Sequence, residues 1–228
     1  MYQAEQDGTH HELGTSGFLY RSNKLMYDHE TKSLWSTIQG KPVVGSLVGK
    51  GIELEQLHTV TTDWKTWLSQ HPDTKVLSLK TGFRRDYGEG RAYAEYFSHD
   101  RLMFQVPVKT KPVLKNKAEV FAMRDDKMQL AISAEFLSKN PVYQGKLSDQ
   151  EFVIFTDEAG GNRAYDSTGL EFESWDGKSI ATQSDGTQWE LSELGLTNET
   201  GKKLERLPAH RAFWFGWLAQ YPDTELVN

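Results

Sequence analysis

The sequence predicts an α+β fold, mainly β, made of two diverged copies of a hairpin, short-helix and strand unit, and three features carry that expectation. The chain of 228 residues matches itself at an offset of 150, β-prone runs alternate with polar turns along most of its length, and helical spacing marks two short tryptophan-rich segments.

The self-match is dense. Trp64, Trp67, Leu68, Gln70, Pro72, Asp73 and Thr74 recur as Trp214, Trp217, Leu218, Gln220, Pro222, Asp223 and Thr224. Upstream, Gly45, Gly51, Leu54, Glu55 and Leu57 recur as Gly195, Gly201, Leu204, Glu205 and Leu207, so 12 of 30 positions are identical. Average composition would give roughly two by chance.

In chain order, His11 to Arg21 and Lys24 to Tyr27 read as strands around a polar turn, and residues 28 to 32 as a second turn before Leu34 and Trp35. Trp64, Trp67 and Leu68 stand at i, i+3 and i+4, one face of a short helix with Thr61 or Thr62 as its cap. Pro72 ends that helix and Asp73 favours a turn before the β-prone run Lys75 to Leu79. Both copies of the tryptophan face are expected to lie buried on a sheet rather than to form a sugar-stacking platform. Val106 to Lys117, with Pro107, Pro112 and four lysines, reads as an exposed linker. Beyond it, Glu119 to Arg124 and Met128 to Ser133 read as a hairpin about Asp125-Asp126, Glu151 to Thr156 as an apolar strand, and Asp157 to Asn162 as a turn.

The resulting organisation is a first half, 1–105, a linker, 106–117, and a second half, 118–228, packed with the first as one domain. Subtracting the offset places the counterpart of the Glu119 hairpin ahead of Met1. The first copy therefore reads as truncated at its start, as in a fragment or a late start codon.

A formal net charge of −6 without a basic stripe excludes ordinary nucleic-acid binding, which draws its affinity from clustered Lys and Arg. No apolar run approaches the roughly 18 residues of a membrane span, and the start is polar rather than a signal-peptide core. As written, the expected location is cytoplasmic; with a lost leader it is periplasmic or exported. The chain has no cysteine, hence no disulfide, thiolate nucleophile or cysteine metal ligand.

Familiar catalytic signatures are missing: GxSxG, HExxH and the P-loop do not occur, and Gly88-Glu89-Gly90 lacks a third glycine. Adjacent His10 and His11 in a strand point to opposite faces and do not chelate one metal, so no metal site is assigned. No cofactor or reaction type follows. Asn198-Glu199-Thr200 is a chance-frequency glycosylation triplet.

Two segments lack a counterpart in the other copy: Gly17 to Asp28, and Thr81 to Gly88 running on to Tyr93 and Tyr96. Their arginine, tyrosine and carboxylate mixture suits a pocket in which a guanidinium grips an anion between tyrosine walls. The plainer alternative has Arg85 and Asp86 paired within a loop and the tyrosines covering a sheet.

GFLYRSNKLMYDHETKSLW, HPDTKVLSLKTGFRRDYG and AFWFGWLAQYPDTEL together resemble the bacterial domain of unknown function 3179 family, over nearly the whole chain. The resemblance implies characteristic positions at Leu19, Tyr20, Ser22, Met26, Tyr27, Asp28, Leu34, Trp35, Arg85, Asp86, Tyr87 and Gly88. It also implies an upstream strand region and a Cys-Pro-Leu-Cys motif that this sequence does not show, and many relatives look exported. Of these positions, Tyr20, Ser22, Tyr27, Asp28, Arg85 and Asp86 are the expected ligand site, with Asp28 or Asp86 the acid or base of any catalysis, and Trp35 is expected to pack. Two functions compete: binding of a small polar or anionic ligand in that pocket, and a non-enzymatic scaffold or partner-binding module of the cell envelope.

Overall fold

The computed structural model describes residues 1–6, 8–108, 113–192 and 195–228. In the first half, β1 (Glu5–Gln6) and β2 (Thr9–His10) precede an antiparallel meander of β3 (Leu13–Tyr20), β4 (Asn23–Asp28), β5 (Leu34–Ser36) and β6 (Lys41–Val44). Two short helices follow, α1 (Trp64–Gln70) and α2 (Ala94–Phe97). The second half opens with β7 (Glu119–Arg124), β8 (Gln129–Ser133) and α3 (Ala134–Lys139), then β9 (Val142–Leu147), β10 (Gln150–Thr156) and β11 (Asn162–Asp166). A second meander of β12 (Phe172–Trp175), β13 (Ile180–Gln183), β14 (Gln188–Ser192), β15 (Gly195–Asn198) and β16 (Lys203–Leu204) leads to β17 (Ala209–Phe213), α4 (Trp214–Gln220) and β18 (Glu225–Val227).

The second half is layered because its strands alternate. Phe121, Met123, Leu130 and Ile132 point one way from the β7–β8 hairpin, into a core shared with Leu147, Phe152 and Ile154. Val120, Ala122 and Ala131 point the other way and receive Trp214, Trp217 and Leu218 of α4. The opposite face of β10, through Val153 and Phe155, packs on Tyr165, Phe172, Trp189 and Leu196 of the second meander. The order is thus α4, the sheet β17-β7-β8-β18, the sheet β11-β10-β9, and the meander sheet. Small residues at 122 and 131 let two indole rings sit close to the sheet.

The first half has a smaller core of Trp35, Leu47 and Leu54. The same local arrangement nonetheless occurs twice. The third strand of each meander buries a tryptophan, Trp35 in β5 and Trp189 in β14, each 1% exposed. Isolated antiparallel bridges join Tyr2 to Gln56 and Tyr165 to Arg206. In both tryptophan helices the indole Nε1 donates to a threonine hydroxyl after the turn, Trp67 to Thr74 and Trp217 to Thr224, each at 2.9 Å.

What differs is cover. Every residue of α4 is buried, whereas α1 buries none, and Trp67 is 40% exposed against 0% for Trp217. The expectation that both tryptophan faces lie on a sheet therefore holds for α4 and fails for α1. Lys75 to Leu79, read as a strand, is irregular and exposed, because its counterpart β18 is held by parallel pairing with β8 and no equivalent strand lies beside 75–79 among the described residues. The α1 cap is Asp63, whose carboxylate accepts from the Thr66 amide at 2.6 Å, rather than Thr61 or Thr62. With no packed face, a side-chain cap contributes much of what holds so short a helix.

The expected linker includes residues 109–112, which lie outside the described residues. Its described ends are tied down rather than free: Val108 and Leu114 pack against the α4 cluster. The Asn116 amide donates to the Asp100 carboxylate at 3.0 Å, and Lys117 Nζ donates to the carbonyls of His99, at 2.5 Å, and Tyr96.

The unequal cover predicts unequal energetics. Trp217→Ala is expected to lower unfolding free energy by about 3–5 kcal/mol, and Trp67→Ala by less than half of that, in urea denaturation. Equal losses would contradict the exposure of α1.

Candidate functional site

The hairpin carrying Tyr20 and Ser22 reverses through Arg21 (φ 50°) and Ser22 (φ 62°), two left-handed non-glycine residues between the paired Tyr20 and Asn23. That strain is offset by docking. Arg21 Nη1 donates to the Ala219 carbonyl at 2.9 Å and more weakly to that of Gln220 at 3.4 Å, at the carboxyl end of α4, while Gln220 Nε2 donates to the Tyr20 carbonyl at 3.2 Å. A guanidinium on the last carbonyls of a helix also meets the negative end of its dipole. The hairpin tip therefore clamps the first half onto α4.

Asp28 is fully buried and its carboxylate is saturated. Oδ2 meets His11 Nδ1 at 2.9 Å, and Oδ1 accepts the Glu30 and Thr31 amides, each at 2.9 Å. Burial works to raise its pKa, but the amide bonds and His11 outweigh burial and hold it below the ordinary aspartate value. The His11 ring lies 4.9 Å from that of Trp35, so the trio forms a packed turn support, with His10 exposed alongside. Tyr27 packs edge-on to His29 and beneath Lys32 Nζ.

Arg85 and Asp86 lie in a stretch, 75–95, in which every residue is exposed. Asp86 pairs with Arg91 at 2.6 Å rather than with Arg85, and accepts the Gly88 amide at 2.9 Å. Arg91 first and the Gly88 amide second lower its pKa. Among the described residues, no hydrogen bond or ion pair joins Arg85 or Asp86 to Tyr20, Ser22, Tyr27 or Asp28. None of five clefts between the described residues is lined by Tyr20, Tyr27 or Arg85. Both candidate carboxylates are shifted down, the wrong direction for a general acid near neutral pH.

Sequence reasoning missed the most perturbed group of side chains, which lies along the seam between the halves. Arg124, at the end of β7, donates through Nη2 to the Gln39 carbonyl at 2.9 Å and to Glu53 Oε1 at 2.5 Å. Lys41 holds the other Glu53 oxygen at 2.7 Å. Burial pushes Glu53 up, but Lys41 and Arg124 together bring it below the ordinary glutamate value. Tyr2 donates to the Ile38 carbonyl at 2.5 Å, and burial drives its pKa to about 12. His210 lies 3.1 Å from Gln56 Nε2 through Nδ1, and burial, the Met1 amine and Arg124 lower it to about 4. An apolar cavity of about 340 Å³, lined by Tyr2, Leu13, Met26, Trp35 and Leu54, adjoins Tyr2. No local pattern marks these residues, because 71 positions separate Glu53 from Arg124 and 154 separate Gln56 from His210.

Chemically, the seam is a set of mostly satisfied structural bonds. Glu53 and the Arg124 Nη2 are spent on each other and on their neighbours, Arg124 Nε is left buried without a partner among the described residues, and the cavity beside the seam is lined mainly by apolar side chains. Among the described residues, no group of three or more His, Cys, Asp or Glu side chains is placed to hold a metal, and no helix is long and apolar enough to cross a membrane.

The sequence profile of the family described as Protein of unknown function (DUF3179) matches residues 1–224, and the chain belongs to that family. Comparison with curated proteins and with solved structures gave no match.

The seam fixes the acid response. A half-buried neutral His210 disfavours the folded state once unfolded histidine, near 6.5, takes a proton that the folded site refuses until about 4. Stability is therefore expected to fall as pH drops from 6.5 to 4, by about 3 kcal/mol from this residue. His210→Asn removes that part of the slope. His58 is shifted in the same direction, so the difference between parent and variant across this window is the readout. Parallel pH profiles would contradict the assignment.

Proposed function

We propose that this chain is a partner-binding module that engages another polypeptide through the exposed apolar stretch 64–104, without catalysis of its own. The carrying observation is the concentration of bare large side chains there: Trp64, Trp67, Leu77, Leu79, Phe83 and Phe97 are all exposed, Leu77 at 93%. Isolated exposed apolar residues are ordinary on a folded surface, whereas so many within one stretch of chain favour a contact surface. Side-chain hydrogen bonds from 78 to 91 are local, whereas 96–100 is tied to Asn116 and Lys117.

The competing reading, a small anionic ligand held by Arg85 and Asp86 beside Tyr20, Ser22, Tyr27 and Asp28, loses support from the geometry. Arg85 is exposed on open chain, Asp86 is occupied by Arg91, and Asp28 is sealed beneath its turn. A setting in the cell envelope belongs to the same proposal and rests on the resemblance to exported relatives.

A photoreactive side chain at Leu77 is expected to give a defined covalent adduct with one protein in native cells, lost on Trp67→Glu, while the same group at Glu190 gives none. Small anions that raise the melting temperature of the parent but not of Arg85→Ala would contradict the proposal and restore the ligand reading.

A further inference from the structure

The two tryptophan helices show what the bare one is shaped to receive. In α4, Trp214, Trp217 and Leu218 lie on Val120, Ala122 and Ala131 of an antiparallel hairpin. The chain after α4 then pairs in parallel with the second hairpin strand, Leu226 opposite Ala131, and the chain before α4 pairs with the first, Ala212 opposite Val120. Helix α1 presents the same three residue types at the same spacing, ends in the same Trp-to-Thr bond, and runs into the β-prone Lys75 to Leu79 at the position of β18. Among the described residues no sheet lies beneath it: its tryptophans are exposed, and 75–79 forms no ladder.

We propose that α1 and residues 75–79 form the receptor for an antiparallel β-hairpin whose inward positions carry small apolar side chains, as Val120, Ala122 and Ala131 do beneath α4. The proposal deepens the partner-binding reading and rests on it. The partner hairpin lies under Trp64, Trp67 and Leu68, with its second strand parallel to 75–79 and its first antiparallel to 59–63. Main-chain bonds to the bare run supply affinity, and the two indoles supply selectivity for small residues opposite them. A large side chain at the position matching Ala122 or Ala131 would hold the helix off the sheet.

The test adds such a hairpin to the intact chain. A second copy of residues 118–149 is joined ahead of Met1 by a flexible glycine-serine linker, which makes docking intramolecular. Amide hydrogen exchange is then followed at 64–79 and 214–227. In the unmodified chain, 64–79 is expected to exchange fast and 214–227 slowly. With the added hairpin, 64–79 should slow by at least about tenfold, and aspartate at the added copies of Ala122 and Ala131 should abolish the change. Fast exchange that the added hairpin leaves unaltered overturns the hairpin inference while leaving a different partner open. Slow exchange at 64–79 in the unmodified chain overturns both, since that surface is then already covered.

Discussion

The contact of Trp214, Trp217 and Leu218 with Val120, Ala122 and Ala131 is the interaction on which the rest of the structure depends. It covers one face of the β7–β8 hairpin, leaving the other face, with Phe121 and Ile132, for the core shared with β9 and β10. It fixes α4, whose last carbonyls then anchor Arg21 and through it the tip of the first meander. Where the same Trp-x-x-Trp-Leu spacing lacks such a hairpin, in α1, its tryptophans stay in water and the strand that should follow does not form. Short helices and single strands have too little stability of their own; a shared apolar layer supplies it.

The halves meet through polar contacts more than apolar ones. Arg21 on α4, Arg124 between Gln39 and Glu53, and Gln56 against His210 each cross from one half to the other. Ile38 adds an apolar contact to the α4 cluster. Removing Glu53 would leave Arg124 partly buried without its counter-charge, whereas Glu53 without Arg124 keeps Lys41, so such pairs fix geometry more than they add net stability. The residues that the family resemblance singles out around Tyr20 and Asp28 serve this architecture: a strained turn held by α4, and an aspartate whose acceptors organise the next turn.

Much of the fold was legible in the sequence. Alternation around Asp125-Asp126 marked the β7–β8 hairpin, and the Trp-x-x-Trp-Leu spacing with proline behind it marked α1 and α4. The Asp-Gly pairs at 176–177 and 185–186 also mark turns of the second meander, although that sheet was not predicted. Burial of α1 was misread because the shared Trp-x-x-Trp-Leu spacing outweighed the differences between the copies: Lys65, Thr66 and Ser69 stand in α1 where α4 has Phe215, Gly216 and Ala219. Lys75 to Leu79 failed for the same reason, since β-propensity expresses a fit to neighbouring strands. The seam was illegible because its members come from distant parts of the chain and none sits in a motif. Arg85 and Asp86 matched a family pattern, but a pattern does not place a side chain against its partner.

Hydroxyl-radical footprinting with peptide mass spectrometry measures the difference in cover between α1 and α4 side chain by side chain. The expected result is rapid oxidation of Trp64 and Trp67 beside slow oxidation of Trp214 and Trp217, by about tenfold or more in rate. Equal protection of all four would show that α1 is covered, and would contradict the view of the first half as the open face of this protein.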